Sequence, residues 1–490
     1  MKTIVAVLAG LAVAANARGD DAPVAPFPVS WAALQVGGAV TFPGDISTER
    51  SVPATERERR IAANASYAIP AAEIVGFDTA LNLFNRHHFP CCDYDSNLHT
   101  IRDNLRSRWD VDRDPFTVNQ LGHPYQGSMY HGFARASGLT YWEGLAYTFA
   151  GSAFWEIAGE STRPSRNDQI NTGIGGTFLG EALFRAANLV LERDGAMAPF
   201  LREIGAAALS PPLGFNRLAF GDRFRTIFPS HDPDYFSRLQ LGFSGTANKG
   251  LGLSSTKLSK NEALADFLLD YGLPGRKGYT YTRPFDYFSL QATASSANGF
   301  ENVLVRGLLI GHEYSAGTSY DGVLGLYGTY DYIAPQLYRV SSTGASLGTT
   351  ARWWASDRIA LIGTALLGVG YTAAGAVRSV GDSDYHYGVA PQALLALRVI
   401  HGERYAIDLT AREYYVTRLG GSGRGGYDSI SRVDAAITWR VTGRHGVSLK
   451  YLGNYRDAYS PALGGQSQHR ATVGIFYTLL GHEFFGAPGK

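Results

Sequence analysis

The strongest constraint on the fold of this 490-residue chain is a change in hydrophobic period at about residue 235. Beyond that point apolar and polar residues alternate, as in the run from Arg432 to Val441. Such alternation places apolar side chains on one face of a β-strand and polar side chains on the other. Turn-rich pieces such as G-G-S-G-R-G-G separate about twelve of these runs. The C-terminal half is therefore predicted to be antiparallel β-structure.

Two architectures share this alternation, a soluble sandwich and a transmembrane barrel. Several runs reach ten or more residues, their polar positions are often charged, and tyrosine or tryptophan lies near many strand ends. These features are expected when one face of each strand meets lipid and the other a polar lumen. The sequence favours an outer-membrane barrel, with the sandwich as the alternative. Outer-membrane barrels commonly end on an aromatic residue. In this chain either Phe485 is that residue, or the residues after Leu480 form a tail beyond the barrel.

The N-terminal sequence M-K-T-I-V-A-V-L-A-G-L-A-V-A-A-N-A combines a basic residue, a short apolar core and a small-x-small end. This pattern predicts a secretory signal peptide cleaved after Ala17, and an uncleaved anchor is the alternative. The two cysteines, Cys91 and Cys92, are adjacent and do not staple distant segments. The alternatives for these two cysteines are a strained local disulfide, ligation of a metal, and simple burial as small residues. With 44 basic and 43 acidic residues, nucleic acid is not expected as a partner.

The region before the barrel has helical periodicity. Ile74, Phe77, Leu81 and Phe84 form one stripe of an amphipathic helix, and a second helix is predicted over Leu98–Arg108. The segment from 139 to 159 is apolar and aromatic but carries two glutamates. We therefore expect a helix that is buried within protein at membrane depth or lies against a membrane surface.

A further helix is expected from Gly175 to Leu191. Gly176 and Gly180, four residues apart, would let another helix approach closely. On the other side of this helix Glu181 and Arg185 repeat the four-residue spacing.

Together these patterns predict an α+β protein with a mostly helical N-terminal domain followed by an antiparallel transmembrane β-barrel of about twelve strands. The expected divisions are a signal peptide (1–17), a flexible leader (18–69), a helical motif domain (70–204), a linker (205–234), the barrel (235–480) and a C-terminal tail (481–490).

Ionisable residues are concentrated between Asn119 and Asp168, against an apolar, glycine-rich and aromatic background. Isolated ionisable groups cost several kcal/mol to bury, so such residues must be paired, hydrated or used. The candidate catalytic residues are His123, His131, Glu156, Glu160 and Asp168. The candidate substrate-binding residues are Asn119, Tyr125, Ser128, Tyr130, Arg163 and Asn167.

Imidazole and carboxylate groups can ligate a divalent cation or act as general base and acid. The spacing matches no recognised metal motif, so whether a metal or another cofactor is bound is left open. A serine mechanism through Ser128 or Ser165 ranks lower, because the strand–turn–helix context of G-x-S-x-G is missing. The alternatives are a ligand-binding site without catalysis and a buried ion-pair network of Glu156, Arg163 and Asp168 that fixes helix packing.

The central stretch reads N-x-x-x-H-P-x-x-G-S-x-Y-H, then W-E-x-x-x-E-x-x-x-x-P-S-x-N-D, then T-x-x-G-G. These motifs resemble the signature of a bacterial family, domain of unknown function 3943, over roughly Phe116 to Glu181. No reaction is established for that family. The resemblance implies a Gram-negative envelope protein, often with a barrel after the motif domain.

Two functions from different classes follow. In the first, an outer-membrane enzyme hydrolyses or otherwise modifies an envelope lipid or glycan, with the barrel as anchor. In the second, the protein is a non-enzymatic channel, structural component or trafficking component. The expected location is the outer membrane, with the leader, and in one arrangement the helical domain, in the periplasm. The expected partners are outer-membrane lipid and the barrel-assembly machinery.

Overall fold

The computed structural model describes residues 52–88, 92–193, 197–250, 261–376, 385–418, 426–461 and 464–487. The predicted signal peptide, most of the predicted leader and Cys91 lie outside these ranges, as does the side chain of Cys92.

The C-terminal half is a closed antiparallel barrel of twelve strands, which confirms the predicted fold class. The strands are β1 (Tyr235–Gly250), β2 (Asn261–Tyr271), β3 (Phe288–Ser295), β4 (Asn302–Ala316), β5 (Tyr320–Ile333), β6 (Tyr338–Ser356), β7 (Ile359–Ala376), β8 (His386–His401), β9 (Tyr405–Arg418), β10 (Tyr427–Thr442), β11 (His445–Ser460) and β12 (Gly464–Leu480). Each strand pairs with its sequence neighbour, and β1 closes the barrel on β12 in a register that sets Leu241 opposite Tyr477.

The period of two in the sequence corresponds to the two faces of the barrel wall. On β1, the buried side chains of Arg238 and Gln240 point into the lumen, whereas Phe243 is exposed on the outside. Over strands β9 to β12 and β1 the outer face is an exposed apolar surface. Its members include Ile407, Leu409, Val433, Ile437, Val447, Leu449, Val473 and Ile475.

The helices precede the barrel in the sequence and form a bundle. They are α1 (Ala54–Asn64), α2 (Ala68–His88), α3 (Leu98–Asn104), α4 (His123–Ala136), α5 (Tyr141–Phe154), α6 (Arg166–Ile170), α7 (Gly176–Glu192), α8 (Pro199–Leu209) and α9 (Pro211–Ala219). Helix α1 lies within the segment predicted as leader. Helices α8 and α9 occupy much of the segment predicted as linker, where proline at the first helical turn of each starts a helix.

The helical domain packs against the outer wall of the barrel. A Cβ built on Gly328 of β5 would lie 2.5 Å from the Phe178 ring of α7. The Tyr330 hydroxyl donates to the Gln120 carbonyl at 2.6 Å, and Phe116 stacks at a tilt on Tyr332. These barrel positions alternate with the lumen-facing ones, so they point outward. The helices therefore fill neither the lumen nor the space beneath it.

Close helix packing in the bundle depends on glycine, as the sequence predicted. A Cβ built on Gly176 of α7 would lie 2.6 Å from the Cα of Gly127 in α4. A Cβ built on Gly180 would lie 2.9 Å from the Cβ of His131. Helices α4 and α7 thus meet at a distance that only small residues allow.

The polarity of helices α2 and α5 is inverted. In α2 the buried face carries Asp78, Asn82 and Asn85, while Leu83 is 59% exposed and Phe84 is 47% exposed. The apolar stripe predicted for this helix is therefore wrong at Phe84, because the interior of the bundle takes the polar side chains. In α5 the buried positions are glycine, serine, threonine and Tyr141, and its large apolar side chains Trp142 and Phe154 are exposed. None of the described helices is long and apolar enough to cross a membrane.

Three layers of side chains close the described part of the lumen. At the end where β1 begins, Phe485 of the tail is buried beside Phe236 and Leu273. In the middle, ion pairs cross the lumen between Arg238 and Asp408 at 2.6 Å, between Arg398 and Asp270 at 3.3 Å and between Lys450 and Asp266 at 3.1 Å. The far end holds an apolar cluster that includes Leu304, Leu337, Tyr338 and Ile430.

We expect the purified protein to give no stable single-channel steps in planar lipid bilayers. Each of the three layers would have to move before hydrated ions could pass. A porin of similar strand number, inserted under the same conditions, supplies the positive control. Steady open-channel current from the intact protein would show that the three layers do not close the lumen in a membrane.

Candidate functional site

Three π-helical turns bring the candidate residues together at one end of the bundle. They are Val118–Gly122, Trp155–Gly159 and Asn171–Gly175, and each continues directly into or out of an α-helix. A π turn inserts one extra residue and so rotates the residues that follow it, a device frequent at functional sites. Here the first turn leads into His123, and the second contains Glu156.

His123, Glu156 and Asp168 form the centre of the site. All three are buried, and one potential ligand atom of each lies within 4.8 Å of the other two. The His123 Nε2 is 4.0 Å from Asp168 Oδ1. One oxygen of Glu156 accepts the Ser165 backbone N–H at 2.7 Å, and the other has no hydrogen-bond partner among the residues that the structure describes. The structure thus brings together three of the five candidate catalytic residues.

Two asparagines connect the site to the barrel. Asn167 donates to Asp168 at 3.0 Å and to the Tyr387 hydroxyl of β8 at 2.8 Å. Asn119 donates to the Tyr385 hydroxyl at 2.9 Å. Both were predicted as substrate-binding residues, and in the structure both hold the site against the outer wall.

Glu160 lies at the rim of the site, half-buried, where its carboxylate accepts the Trp155 indole N–H at 2.8 Å. Four-residue spacing would place Glu156 and Glu160 on one helix face. Glu160 instead follows the π turn in extended conformation, so the two carboxylates do not share a face. Asp112 and Asp114 complete the rim. Their segment is aligned by hydrogen bonds of Asp110 to Pro164 and Arg166, and Asn119 donates to Asp112 at 2.9 Å.

The electrostatics of the site are those of crowded, desolvated carboxyls. Burial, followed by repulsion from Glu160 and Asp168, raises the pKa of Glu156 well above its usual range. Burial, followed by repulsion from Asp112, likewise raises the pKa of Asp168 well above its usual range. Burial raises the pKa of Glu160 to about 7, against an opposing effect of His123, and it raises the pKa of Asp114 to about 6. In the part of the chain that the structure describes, no arginine or lysine forms an ion pair with these five carboxyls.

His131 lies apart from this site, in a buried ion-pair network. Its Nε2 is 3.0 Å from Glu181, which also accepts from Arg135 and from Arg185, each at 2.8 Å. Arg185 then reaches Asp286, before β3, at 3.0 Å. Burial by itself would raise the pKa of Glu181. Arg135, His131 and Arg185 outweigh burial and together hold this pKa well below its usual range. The network joins α4, α7 and the barrel.

The remaining candidates have other surroundings. The Tyr130 hydroxyl donates to Asp78 of α2 at 2.5 Å in the bundle core. Ser128 donates to the Tyr125 carbonyl at 2.6 Å, and Tyr125 itself packs against the apolar core. Arg163 is exposed, so the ion-pair network predicted for Glu156, Arg163 and Asp168 is not formed.

Sequence reasoning missed several residues around the site. Asp112 and Asp114 carry a signal, because D-V-D-R-D repeats acidic residues just before the motif. Tyr385 and Tyr387 lie more than two hundred residues downstream, and their role depends on the docking of the bundle on β8. Asp78 stands in an otherwise apolar segment, which is itself a signal for a buried polar contact.

The arrangement permits two kinds of chemistry. Protonated carboxyls beside an imidazole can act as general acid and base. The same oxygens and nitrogen can instead surround a cation, whose charge would replace the protons.

The two buried acidic centres should respond differently to neutralisation. Glu181→Gln leaves Arg135 without its carboxylate partner, and we expect a loss of about 3–5 kcal/mol in the free energy of unfolding. Glu156→Gln removes a carboxylate that faces no cation, so a change within about 1 kcal/mol is expected. Urea unfolding in detergent measures both. Equal losses in the two variants would contradict the assignment of separate roles.

Asp78 predicts a pH dependence of stability. Burial raises its pKa from an ordinary value of 3.8 to about 8, against hydrogen bonds from Tyr130 and Gln126. Between these pH values the native state keeps a proton that the unfolded chain releases, so the free energy of unfolding falls as pH rises, by about 1.4 kcal/mol per unit. Urea unfolding from pH 5 to 9 should show a weaker slope for Asp78→Asn, while Asp103→Asn, an exposed control, keeps the wild-type slope. Identical slopes in all three proteins would exclude Asp78 as the source.

Several solved structures of porins and channels align with about half of this chain. The NanC porin aligns at 8% identity over 48% of this chain and 98% of its own, with a TM-score of 0.25. The KdgM porin aligns at 10% identity over 49% and 98%, with a TM-score of 0.22. The outer membrane channel DcaP of Acinetobacter baumannii aligns at 6% identity over 50% and 96%, also with a TM-score of 0.22. These values are too low to support an argument about function.

No curated protein matches the sequence. A family model does match, over residues 108–212. This range contains His123, Glu156 and Asp168 and extends into the start of α9. The segment that holds the site therefore matches the family described as Domain of unknown function (DUF3943), as its motifs predicted.

Proposed function

We propose that this is an outer-membrane protein whose closed barrel anchors the helical domain at the level of the bilayer, where the acidic site hydrolyses a bond in the headgroup of an envelope lipid. The observation that carries the proposal is the position of the site. It lies in a domain packed on the outer, apolar wall of the barrel, and it has no route through the lumen.

The apolar exterior supports membrane insertion. The outer face of β9 to β12 and β1 exposes valine, leucine and isoleucine over neighbouring strands. The exposed faces of α2 and α5 add further apolar side chains beside it. Apolar area of this extent is unfavourable in water and is expected where a protein meets lipid or a partner. The polar faces of the same helices are buried against α4, where Tyr130 contacts both Asp78 of α2 and Gly151 of α5. Buried polar and small-residue contacts of this kind are expected for helices surrounded by hydrocarbon.

The lengths of the strand connections suggest an orientation. Of the five strand connections at the end where β1 begins, 317–319, 357–358, 402–404 and 443–444 are short, and 272–287 is long. Outer-membrane barrels place short turns in the periplasm and longer loops outside. The site lies next to Tyr385 and Tyr387, at the opposite end of the wall. In this orientation it faces the outer leaflet, and the leader remains periplasmic.

The chemistry of the site supports hydrolysis. His123 can take a proton from water, and a carboxyl with a raised pKa can protonate the leaving group. Half-buried Asp114 and Glu160 form a rim through which a headgroup can reach these residues. The partners that belong to the proposal are an envelope lipid and the barrel-assembly machinery.

Mass spectrometry of outer-membrane lipids tests the proposal directly. Cells would carry the wild-type protein, His123→Ala, Glu156→Gln, the exposed control His99→Ala, or no protein. We expect one lipid species to change with the wild type and with His99→Ala, and to match the protein-free strain in the two site variants. Heat-modifiable migration on gels confirms that each variant forms a barrel.

Coinciding lipid profiles in all five strains would exclude lipid modification. The protein would then be a channel, a structural component or a trafficking component.

A channel is the second candidate, and one specific observation favours it. The lumen contains a polar cavity lined by charged side chains, among them Arg238, Asp270, Arg306, Asp331, Arg412 and Lys450. Because the ion pairs and the far apolar cluster remain after truncation, a chain that ends at Gly481 should conduct in planar bilayers only if loss of the tail also releases those two layers. Conduction by this chain, where the intact protein is silent, would support a tail-gated channel. Silence of both proteins would count against a tail-gated channel.

A further inference from the structure

We propose that His123, Glu156 and Asp168 together bind one divalent transition-metal ion, of the Zn²⁺ or Mn²⁺ class. This inference rests on the proposed function and deepens it: with His123 and the two carboxylates as ligands, such an ion, in place of the His123 base, would supply the activated water of a hydrolase. The arguments below concern binding alone.

The three side chains have the geometry of a ligand set. One ligand atom of each lies within 4.8 Å of the others. Ligands of a common ion, at metal–ligand distances of about 2.0–2.2 Å, lie up to roughly 4 Å apart. The 4.0 Å between His123 Nε2 and Asp168 Oδ1 falls in this range. Small rotations of the side chains would therefore bring all three atoms to one ion.

An unpartnered buried oxygen independently points to a ligand. Glu156 is 1% exposed, and its Oε1 has no hydrogen-bond partner among the described residues. The other oxygen is held by the Ser165 N–H, so the free one is fixed in direction. A buried polar atom without a partner is costly, and a bound ion would remove that cost.

The surroundings match those of known metal ligands. Asn167 orients Asp168 and is itself fixed by the Tyr387 hydroxyl. Metal ligands generally have such supporting hydrogen bonds. The Asp112, Asp114 and Glu160 carboxylates at the rim add negative charge, which attracts a cation to the entrance.

The donor set indicates the kind of ion. The set consists of one imidazole and two carboxylates, with no thiolate among the described residues. This set suits Zn²⁺ or Mn²⁺ better than it suits Ca²⁺, which prefers oxygen ligands alone. Three protein ligands also leave a coordination position for water, as in catalytic sites and unlike closed structural ones.

Metal titration of the full-length protein in detergent tests the inference. After treatment with EDTA, Zn²⁺ and Mn²⁺ would be added and binding followed by calorimetry. We expect one ion per chain, with affinity at least tenfold lower in His123→Ala, Glu156→Gln and Asp168→Asn. His99→Ala, which removes an exposed histidine, should bind as the wild type does.

Electron paramagnetic resonance of bound Mn²⁺ provides a second measurement. Nitrogen coupling should be present in the wild type and in His99→Ala, and absent in His123→Ala. Unchanged melting temperatures in EDTA would show that the variants are folded. Failure of the wild type to bind either ion, or equal binding by all variants, would overturn the metal site.

The two proposals can fail separately. Metal binding that depends on the three residues, together with unchanged lipid profiles, would retain the metal site and remove the hydrolase. Lipid modification by metal-free protein would retain the hydrolase and remove the metal.

Discussion

The Arg185 guanidinium joins the helical domain to the barrel through buried ion pairs, at the segment that leads into β3. It donates to Glu181 in its own helix at 2.8 Å, to Asp286 before β3 at 3.0 Å and to the Pro284 carbonyl at 2.7 Å. Between these contacts Phe285, with φ of 66°, packs against the aromatic core of the bundle. A planar group with five donors is suited to hold three acceptors in fixed positions. The bundle is thereby fixed laterally, beside the strands.

The proposed position of the bundle beside the barrel, in contact with lipid, would account for the inverted polarity of α2 and α5. A helix in water buries its apolar stripe, whereas α2 buries Asp78, Asn82 and Asn85 together with Ile74 and exposes Val75, Leu83 and Phe84. Such a helix gains nothing from hydrophobic burial against its neighbours when it is surrounded by lipid. Close glycine contacts and polar pairs hold it instead, such as the hydrogen bond from Tyr130 to Asp78.

The bundle contains two buried acidic centres that differ in one respect. Glu181 is surrounded by cationic groups and has a structural role that follows from its ion pairs. Glu156 and Asp168 meet other carboxyls and one imidazole. Burial without neutralisation is expensive, and proteins retain such groups mostly at functional sites. This difference separates the site from the scaffold more clearly than residue type does.

The sequence by itself favoured the barrel and indicated its approximate strand number, because long alternating strands with charged positions on one face and aromatic residues near their ends suit a barrel better than a sandwich. It also predicted the close helix approach at Gly176 and Gly180. Within the motif it identified His123, Glu156 and Asp168, since ionisable residues in an apolar segment need a reason. The sequence could not separate His131 from these three residues, because His123 and His131 lie in the same helix.

Only the tertiary structure decided which side of the wall carries the helices and which face of each helix is inside. Those choices depend on contacts between residues hundreds of positions apart, such as Asn167 with Tyr387 and Arg185 with Asp286. Helical periodicity shows that a helix has two faces, but the surrounding medium decides which of them is buried. For the helices of this bundle that medium is set by the barrel, through the docking of the whole domain on its outer wall.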